Sequence, residues 1–164
     1  SVYYNVTNGV EQIIMTAATG IESLFGNMIA NNEHEKLLKT FSIVEWTTHV
    51  GVTGIFTIAA ITISPFIAVY TRGINDANYI VPIFGFILVT AYAVQCLRIP
   101  YFRIIKAAGH FKETQNGAYI SAVLNVIITV GTVFEFGLVG AAVGTLIAML
   151  YHTCLLYTSD AADD

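Results

Sequence analysis

The segment WTTHVGVTGIFTIAAITISPFIAVYT, residues 46–71, decides the fold of this chain, because it contains no Asp, Glu, Lys or Arg. A helix needs about 20 mostly apolar residues to cross the hydrocarbon core of a bilayer. Stretches equally free of these four residue types lie at 77–97, 114–134 and 136–153. The four stretches predict an all-α integral membrane protein.

The composition of the whole chain agrees with that prediction. Of the 164 residues, 55% are hydrophobic and 11% are charged, whereas soluble domains are typically about 25% charged. The net charge of −4 owes much to Asp160, Asp163 and Asp164 at the C-terminus. These values exclude an ordinary soluble globule and give no sign of a nucleic-acid partner.

One further apolar stretch, at residues 2–28, contains Glu11 and Glu22. It is long enough to cross the membrane despite these two acids. We therefore predict five transmembrane helices joined by short connections, and the predicted spans are residues 2–28, 42–71, 78–97, 114–134 and 137–153.

The cations predict the orientation of these spans. The second and fourth connections hold only Arg72 of the seven Lys and Arg residues. The first and third connections hold the other cations, which are Lys36, Lys39, Arg98, Arg103, Lys106 and Lys112. Because cytoplasmic loops carry the excess of Lys and Arg, we expect these two connections in the cytoplasm.

The third connection, RIPYFRIIKAAGHFKETQ at residues 98–115, has a pattern of its own. Pro100 suits the start of a helix and Gly109 suits its end. The apolar residues between them recur at near-helical spacing, which predicts a short amphipathic helix at the membrane surface. A basic surface of this kind attracts anionic headgroups by about 1 kcal/mol per cation.

The first span carries a stripe of polar residues. Its members recur every three or four positions, so they fall on one side of a helix; they are Asn5, Asn8, Gln12, Thr16, Thr19, Ser23 and Asn27. Glu11 and Glu22 lie together just beyond one border of this polar stripe. A helix surrounded by lipid would not tolerate such a stripe, so we expect it to line a water-filled cavity or to contact other polar helices.

Glu11 lies near the middle of the membrane in this prediction, and an acid at that depth is a functional hypothesis in itself. It either binds a coupling cation or pairs with an Arg from a helix outside this chain. Glu22, nearer the cytoplasmic end, is expected to be hydrated. We find no spacing typical of a catalytic, metal or cofactor site, so none is predicted.

The tail differs from the rest of the chain. Residues 154–164, CLLYTSDAADD, change composition abruptly after an apolar stretch. LLYTSDAA resembles the translation of an adapter used in sequencing libraries, so we expect residues 154–164 to be foreign. On this interpretation residues 1–153 are an internal piece of a longer protein.

The order of the remaining segments resembles the second half of bacterial polysaccharide flippases, members of the multidrug/oligosaccharidyl-lipid/polysaccharide exporter superfamily. The resemblance covers about residues 1–153. The segments that carry it are SVYYNVTNGVEQIIMTAATGIESLFGNMIA (1–30), EKLLKTF (35–41), SPFIAVYTRGINDANYIVP (64–82), LRIPYFRIIKAAGHFKETQ (97–115) and LNVIITVGTVFEFGLVGAAVGTLIAMLYHT (124–153).

This resemblance implies a transporter of 12–14 helices in two bundles, of which this chain supplies part of the second. It implies no enzyme activity. The expected activity is to flip undecaprenyl-pyrophosphate-linked oligosaccharide across the bacterial cytoplasmic (inner) membrane for polysaccharide export. The partners would be that lipid-linked substrate, membrane lipids and the missing N-terminal bundle.

The resemblance also implies roles for individual residues. We expect the cavity to be lined by Asn5, Asn8, Glu11, Gln12, Thr16, Thr19, Glu22 and Ser23. Arg98, Arg103 and Lys106 would attract the pyrophosphate headgroup. A cation-coupled multidrug exporter of the same superfamily is the alternative function. A membrane glycan polymerase or ligase is a third, although the short external connections disfavour it.

Overall fold

The computed structural model describes the backbone of residues 2–72, 81–109 and 111–160, and the side chains of residues 2–72, 81–109 and 115–154. Every secondary-structure element in these ranges is a helix. The helices are α1 (Val2–Ala17), α2 (Thr19–Ala30), α3 (His34–Tyr70), α4 (Pro82–Leu97), α5 (Ile99–Ala107), α6 (Phe111–Phe136) and α7 (Leu138–Asp160). Most of the second connection, His110, the side chain of Lys112 and residues 161–164 lie outside the described residues.

The predicted all-α membrane class is confirmed at this level. Four stretches are long and apolar enough to cross a membrane, namely Val2–Ala30, His34–Tyr70, Pro82–Ala107 and Gln115–Phe136. The described apolar part of the fifth, Leu138–Cys154, is a shorter apolar helix, so its crossing stays a prediction. The chain therefore has the helices of a multi-pass membrane protein.

The helix boundaries differ most from the predicted ones at the start of α3 and at the end of α7. α3 begins at His34 rather than near residue 42, so most of the predicted first connection is helical. Lys36 pairs with Glu33 at 3.0 Å at this end. The backbone of α7 continues past Thr153 to Asp160, so helix geometry does not mark the start of the predicted foreign tail.

Two of the long stretches are interrupted by a single residue. Arg98 separates α4 from α5, and the cause is Pro100, which lies in the first turn of α5 and has no N–H to continue the helix. Ala18 separates α1 from α2. There the hydroxyls of Thr16 and Thr19 donate to backbone carbonyls within the helix, a pattern that often bends helices. We call Ala18 and Arg98 the two elbows.

α4 lies at the centre of the described bundle. It packs against α1, α3 and α7, while α5 packs against α2. The ring of Tyr3 fits against Gly85, where an added Cβ would come within 2.6 Å of that ring. The Tyr3 hydroxyl also accepts a hydrogen bond of 3.1 Å from the N–H of Val81. These contacts join the N-terminal ends of α1 and α4, and both elbows lie between the α1–α4 pair and the α2–α5 pair.

α6 and α7 form an antiparallel pair joined at Gly137, whose φ of +57° is in the left-handed region that favours glycine. Gly140 and Gly144 face α6 so closely that a Cβ at either would collide with Thr132 or Thr129. The Thr132 hydroxyl also donates to the Gly140 carbonyl at 2.8 Å. The GxxxG spacing of these glycines therefore serves helix packing.

The outer surface of the bundle is apolar. Large exposed side chains cover α3 and α6, and examples are Ile58, Ile61, Val126, Ile127 and Phe134. Such a surface is costly in water and suits the hydrocarbon of a bilayer.

Candidate functional site within the membrane

The polar stripe of the first span lies on the outside of the described bundle. Asn8 is half-buried, and the other members, Asn5, Gln12, Thr16, Thr19, Ser23 and Asn27, are exposed. The buried side of the same span consists of Tyr3, Thr7, Glu11, Ala18, Phe25 and Met28. The stripe thus turns away from the neighbouring helices of this chain.

The members of the stripe differ in their need for partners. Thr16 donates to the Gln12 carbonyl and Thr19 donates to the Thr16 carbonyl, both at 2.7 Å. Such hydroxyls satisfy their donor within the helix. The side chains of Asn5, Asn8 and Gln12 have no hydrogen-bond partner among the described residues, so three amides of α1 offer both donors and acceptors to another molecule.

Glu11 lies just beyond one border of the stripe, on the side of the span that faces the other helices. It is only 6% exposed, and its Oε1 accepts a hydrogen bond from Gln95 Nε2 of α4. Arg98 at the α4–α5 elbow is its electrostatic partner. Glu11 thus has a hydrogen-bond partner and a nearby cation within this chain, while a coupling cation or an Arg from a helix outside the chain stays a prediction.

Arg98 also reaches toward α7. Its guanidinium interacts electrostatically with His152, which is 6% exposed and lies against Gly117 of α6. Arg98 Nη1 and His152 Nε2 are both buried and have no hydrogen-bond partner among the described residues. Arg98 thus lies near enough to Glu11 of the first span and His152 of α7 for electrostatic interaction, without a hydrogen bond to either among the described residues.

Glu22, which follows Glu11 by eleven residues in the first span, forms an ion pair with Arg103. Arg103 Nη1 lies 2.6 Å from Glu22 Oε2, and the two side chains are 12% and 33% exposed. Lys106 lies with Nζ 4.7 Å from the centre of the Phe102 ring. Glu22, which we expected to be hydrated, is 33% exposed and also pairs with a cation, because α5 packs alongside α2.

A third carboxylate has a partner on the same helix α5. The hydroxyl of Tyr101 donates to Glu45 Oε1. His49 Nδ1 lies 2.8 Å from the backbone carbonyl oxygen of Glu45 rather than from its carboxylate. α5 therefore contacts both α2 and α3 through carboxylates, Glu22 and Glu45, whose partners were not predicted from the sequence.

The sequence predicted Glu11 and Glu22 as a pair at the border of the stripe, but it did not predict what they contact. The signal was present as Gln95, a polar residue inside an apolar span, and as Arg98 and Arg103 just beyond the end of that span. Within the described ranges, no three His, Cys, Asp or Glu side chains come together as a metal site would require.

Compared with protein-family models, curated proteins and solved structures, the chain gives no match. Its function must therefore be inferred from the open polar stripe and from the buried network around Arg98.

Proposed function

We propose that this chain is part of a two-bundle membrane transporter that moves undecaprenyl-pyrophosphate-linked oligosaccharide across the bacterial cytoplasmic membrane. The chain would supply helices of the second bundle, and the first bundle would face it across a central cavity. The transport cycle would alternate access to that cavity from the two sides of the membrane.

The observation that carries this proposal is the open stripe on the first span. Its amides Asn5, Asn8 and Gln12 have no hydrogen-bond partner among the described residues; Asn5 and Gln12 are exposed and Asn8 is half-buried. Amide side chains both donate and accept hydrogen bonds, as sugar hydroxyls do. A cavity lined in this way accommodates an oligosaccharide while the lipid tail of the substrate stays in the bilayer.

In this proposal Arg98 and Arg103 are not free to attract a headgroup at the membrane surface. Arg103 is paired with Glu22 and Arg98 is turned toward the bundle interior. They would meet a headgroup only after the α2–α5 half of the bundle has moved. Lys106, which rests on an aromatic ring without a carboxylate partner among the described residues, is the cation best able to attract a headgroup in this conformation.

A cation-coupled drug exporter of the same superfamily is the alternative. Such an exporter would present an acid to its cavity, and Glu11 is the one acid near the middle of the first span. Since Glu11 is buried and bonded to Gln95, its geometry favours the flippase. The membrane polymerase or ligase has no feature in this site that supports it.

The test is transport by the full-length protein that contains this segment, in vesicles holding a fluorescent lipid-linked oligosaccharide. Gln12→Leu and Thr16→Val each remove a polar group from the stripe. We expect each to lower the flipping rate roughly two- to tenfold, because one hydrogen bond contributes about 0.5–1.5 kcal/mol.

Thr57→Val is the matched control for Thr16→Val. Both hydroxyls are exposed and donate to the carbonyl four residues earlier, Thr57 on α3 at 2.6 Å. We expect Thr57→Val to transport normally. Equal flipping rates for Gln12→Leu, Thr16→Val and Thr57→Val, at equal amounts of protein in the membrane, would contradict the proposal. Efflux of a cationic dye without lipid flipping would also contradict it.

A further inference from the structure

The main apolar core of the bundle ends at the two elbows. Among the described residues, its buried members stop at Ala18 in the first span and at Ile99 in the third span. On α3 the first of them is Val52. Phe25 of α2 and Tyr101 of α5 are also buried, but they lie outside this core. The part of the bundle beyond the elbows is therefore packed separately.

That separate part consists of α2, α5 and residues 34–50 of α3, and we call it the inner unit. The ring of Phe41 lies with its centre 6.1 Å from that of Phe25 and 5.3 Å from that of Tyr101. The ion pair described above joins α2 to α5, and the Tyr101 hydroxyl joins α5 to α3 through a carboxylate. These contacts hold the inner unit together as one body.

The two elbows have nearly the same backbone geometry. At Ala18 φ is −79° and ψ is −9°, and at Arg98 they are −80° and −5°, whereas ψ in an α-helix is about −42°. The N–H of Ile21 donates to the carbonyl of Ala18, three residues earlier, at 3.2 Å, which is a 3₁₀ bond. A short 3₁₀ turn inside a helix often marks a hinge. Since α2 packs against α5, two similar bends allow these helices to turn together.

α3 passes the elbows near residue 48. Phe25 lies seven residues beyond the first elbow and contacts Phe41, while Tyr101 lies three residues beyond the second elbow and contacts Glu45. α3 runs in the opposite direction, so the same numbers of residues are counted forward along it from each contact. Both counts lead to residue 48.

Gly51 and Gly54 follow within two turns of that level. An added Cβ at either position would meet nothing within 4 Å among the described residues, so close packing does not explain these glycines. Glycine weakens a helix because its backbone loses more freedom on folding than that of alanine. Each span that contributes to the inner unit thus has a weak point close to the level of the elbows.

A cavity of about 90 Å³ lies where the inner unit meets the main core. Met15 lines it just before the first elbow, and Ile99 and Phe102 line it from α5. Protein interiors are close-packed and transmit strain, whereas methionine is flexible and fills irregular gaps. The cavity therefore gives side chains room to rearrange when the elbows change angle.

The first elbow also divides the open stripe, because Thr19, Ser23 and Asn27 lie on α2 and the other members lie on α1. We propose that the inner unit turns as one body about the two elbows and Gly51, and that it gates the cytoplasmic end of the stripe. The hinge follows from the packing, whereas its use as a gate rests on the proposed transport function. The amides of α1 stay in place during this motion.

Distances between spin labels test the hinge in the full-length protein, reconstituted in nanodiscs with every native cysteine replaced by alanine. Cysteines at Leu38 and Tyr119 report the distance from the inner unit to α6. Cysteines at Ile61 and Phe134 report the distance between the same two helices, α3 and α6, beyond the hinge. All four side chains are 64–87% exposed. We expect two maxima in the distance distribution of the first pair, in proportions that lipid-linked oligosaccharide changes, and one maximum for the second pair.

Variants with a stiffer hinge should leave one maximum for the first pair and should slow flipping. Pro100→Ala restores the missing N–H at the second elbow, and Gly51→Ala favours a straight α3. Pro82→Ala in the first turn of α4 and Gly131→Ala on α6 are the matched controls. Both controls should keep two maxima.

A single maximum for the first pair in the wild-type protein, with and without substrate, would overturn the proposal. The wild-type distances decide this even when a variant does not fold. Two maxima that persist in both hinge variants would also overturn it. Two maxima that merge in the hinge variants, in a protein that flips no lipid-linked oligosaccharide, would confirm the hinge and contradict the transport function.

Discussion

At the scale of single residues, the Glu22–Arg103 ion pair has consequences that can be measured. Removing one partner of a buried pair leaves the other charge unpaired, which costs about 3–5 kcal/mol when burial is complete. Because Glu22 is 33% exposed, we expect Arg103→Gln to destabilise the detergent-solubilised protein by an amount near the lower end of that range. Thermal or chemical unfolding measures the loss.

The exposed pair of Lys36 and Glu33 provides the control for this prediction. Its side chains are 65% and 40% exposed, and surface pairs contribute about 0–1 kcal/mol. Lys36→Gln should therefore change stability little. The double reversal Glu22→Arg with Arg103→Glu should recover part of the stability lost in Arg103→Gln, and an equal loss for Lys36→Gln would show that burial has no role.

The sequence predicts single residues unevenly. Glu11 and Glu22 stand out because acids are rare in membrane spans, and both prove to be in the polar network. Their partners could not be predicted, since Gln95 and Arg103 are more than eighty residues away along the chain. Contacts at that separation depend on how the spans pack, which a pattern within one span does not encode.

At the scale of helices, the α6–α7 pair depends on two small residues. A Cβ at Gly140 would collide with the backbone carbonyl of Thr132, and backbone cannot rotate away as a side chain can. We expect Gly140→Ala to separate the helices and to destabilise the protein by about 1–3 kcal/mol, which is typical of overpacking. Unfolding of the purified variant measures this loss.

Gly131 on α6 is the matched control, because a Cβ there meets nothing within 4 Å. Gly131→Ala should be neutral or slightly stabilising, since alanine favours a helix over glycine by about 1 kcal/mol. A loss as large as that of Gly140→Ala would mean that close packing of α7 is not the cause.

Helices were the most predictable feature of this chain. Long apolar stretches define them, and Pro100 and Gly109 correctly predicted the ends of α5. The elbow at Ala18 was missed because no proline marks it, and the threonines that surround it are also ordinary members of the polar stripe. The early start of α3 was missed because charged residues near a helix end resemble a loop when only composition is considered.

At the scale of the whole molecule, the apolar outer surface and the open polar stripe need different surroundings. The apolar surface suits lipid, whereas the stripe needs water, sugar or polar helices. Composition was enough to predict the membrane class. The arrangement of the stripe on the outside of the bundle, with Glu11 turned inward, required the packing of α1 against α4.

We expect the stripe on the first span to face an aqueous cavity in the assembled protein. Cysteine labelling with a membrane-impermeant maleimide tests this expectation most directly, in a full-length background in which Cys96 and every other native cysteine are replaced by alanine. Single cysteines at Asn8, Gln12 and Thr16 would be compared with one at Ile13, which is 74% exposed in this chain but lies beside the stripe.

We predict that the stripe positions react quickly and that Ile13→Cys, facing lipid, reacts slowly, because maleimides modify the hydrated thiolate. Adding the lipid-linked oligosaccharide should slow the reaction at the stripe alone. Equal reaction rates at Gln12→Cys and Ile13→Cys, or no reaction at any stripe position, would contradict an aqueous cavity and with it the transport function proposed for this chain.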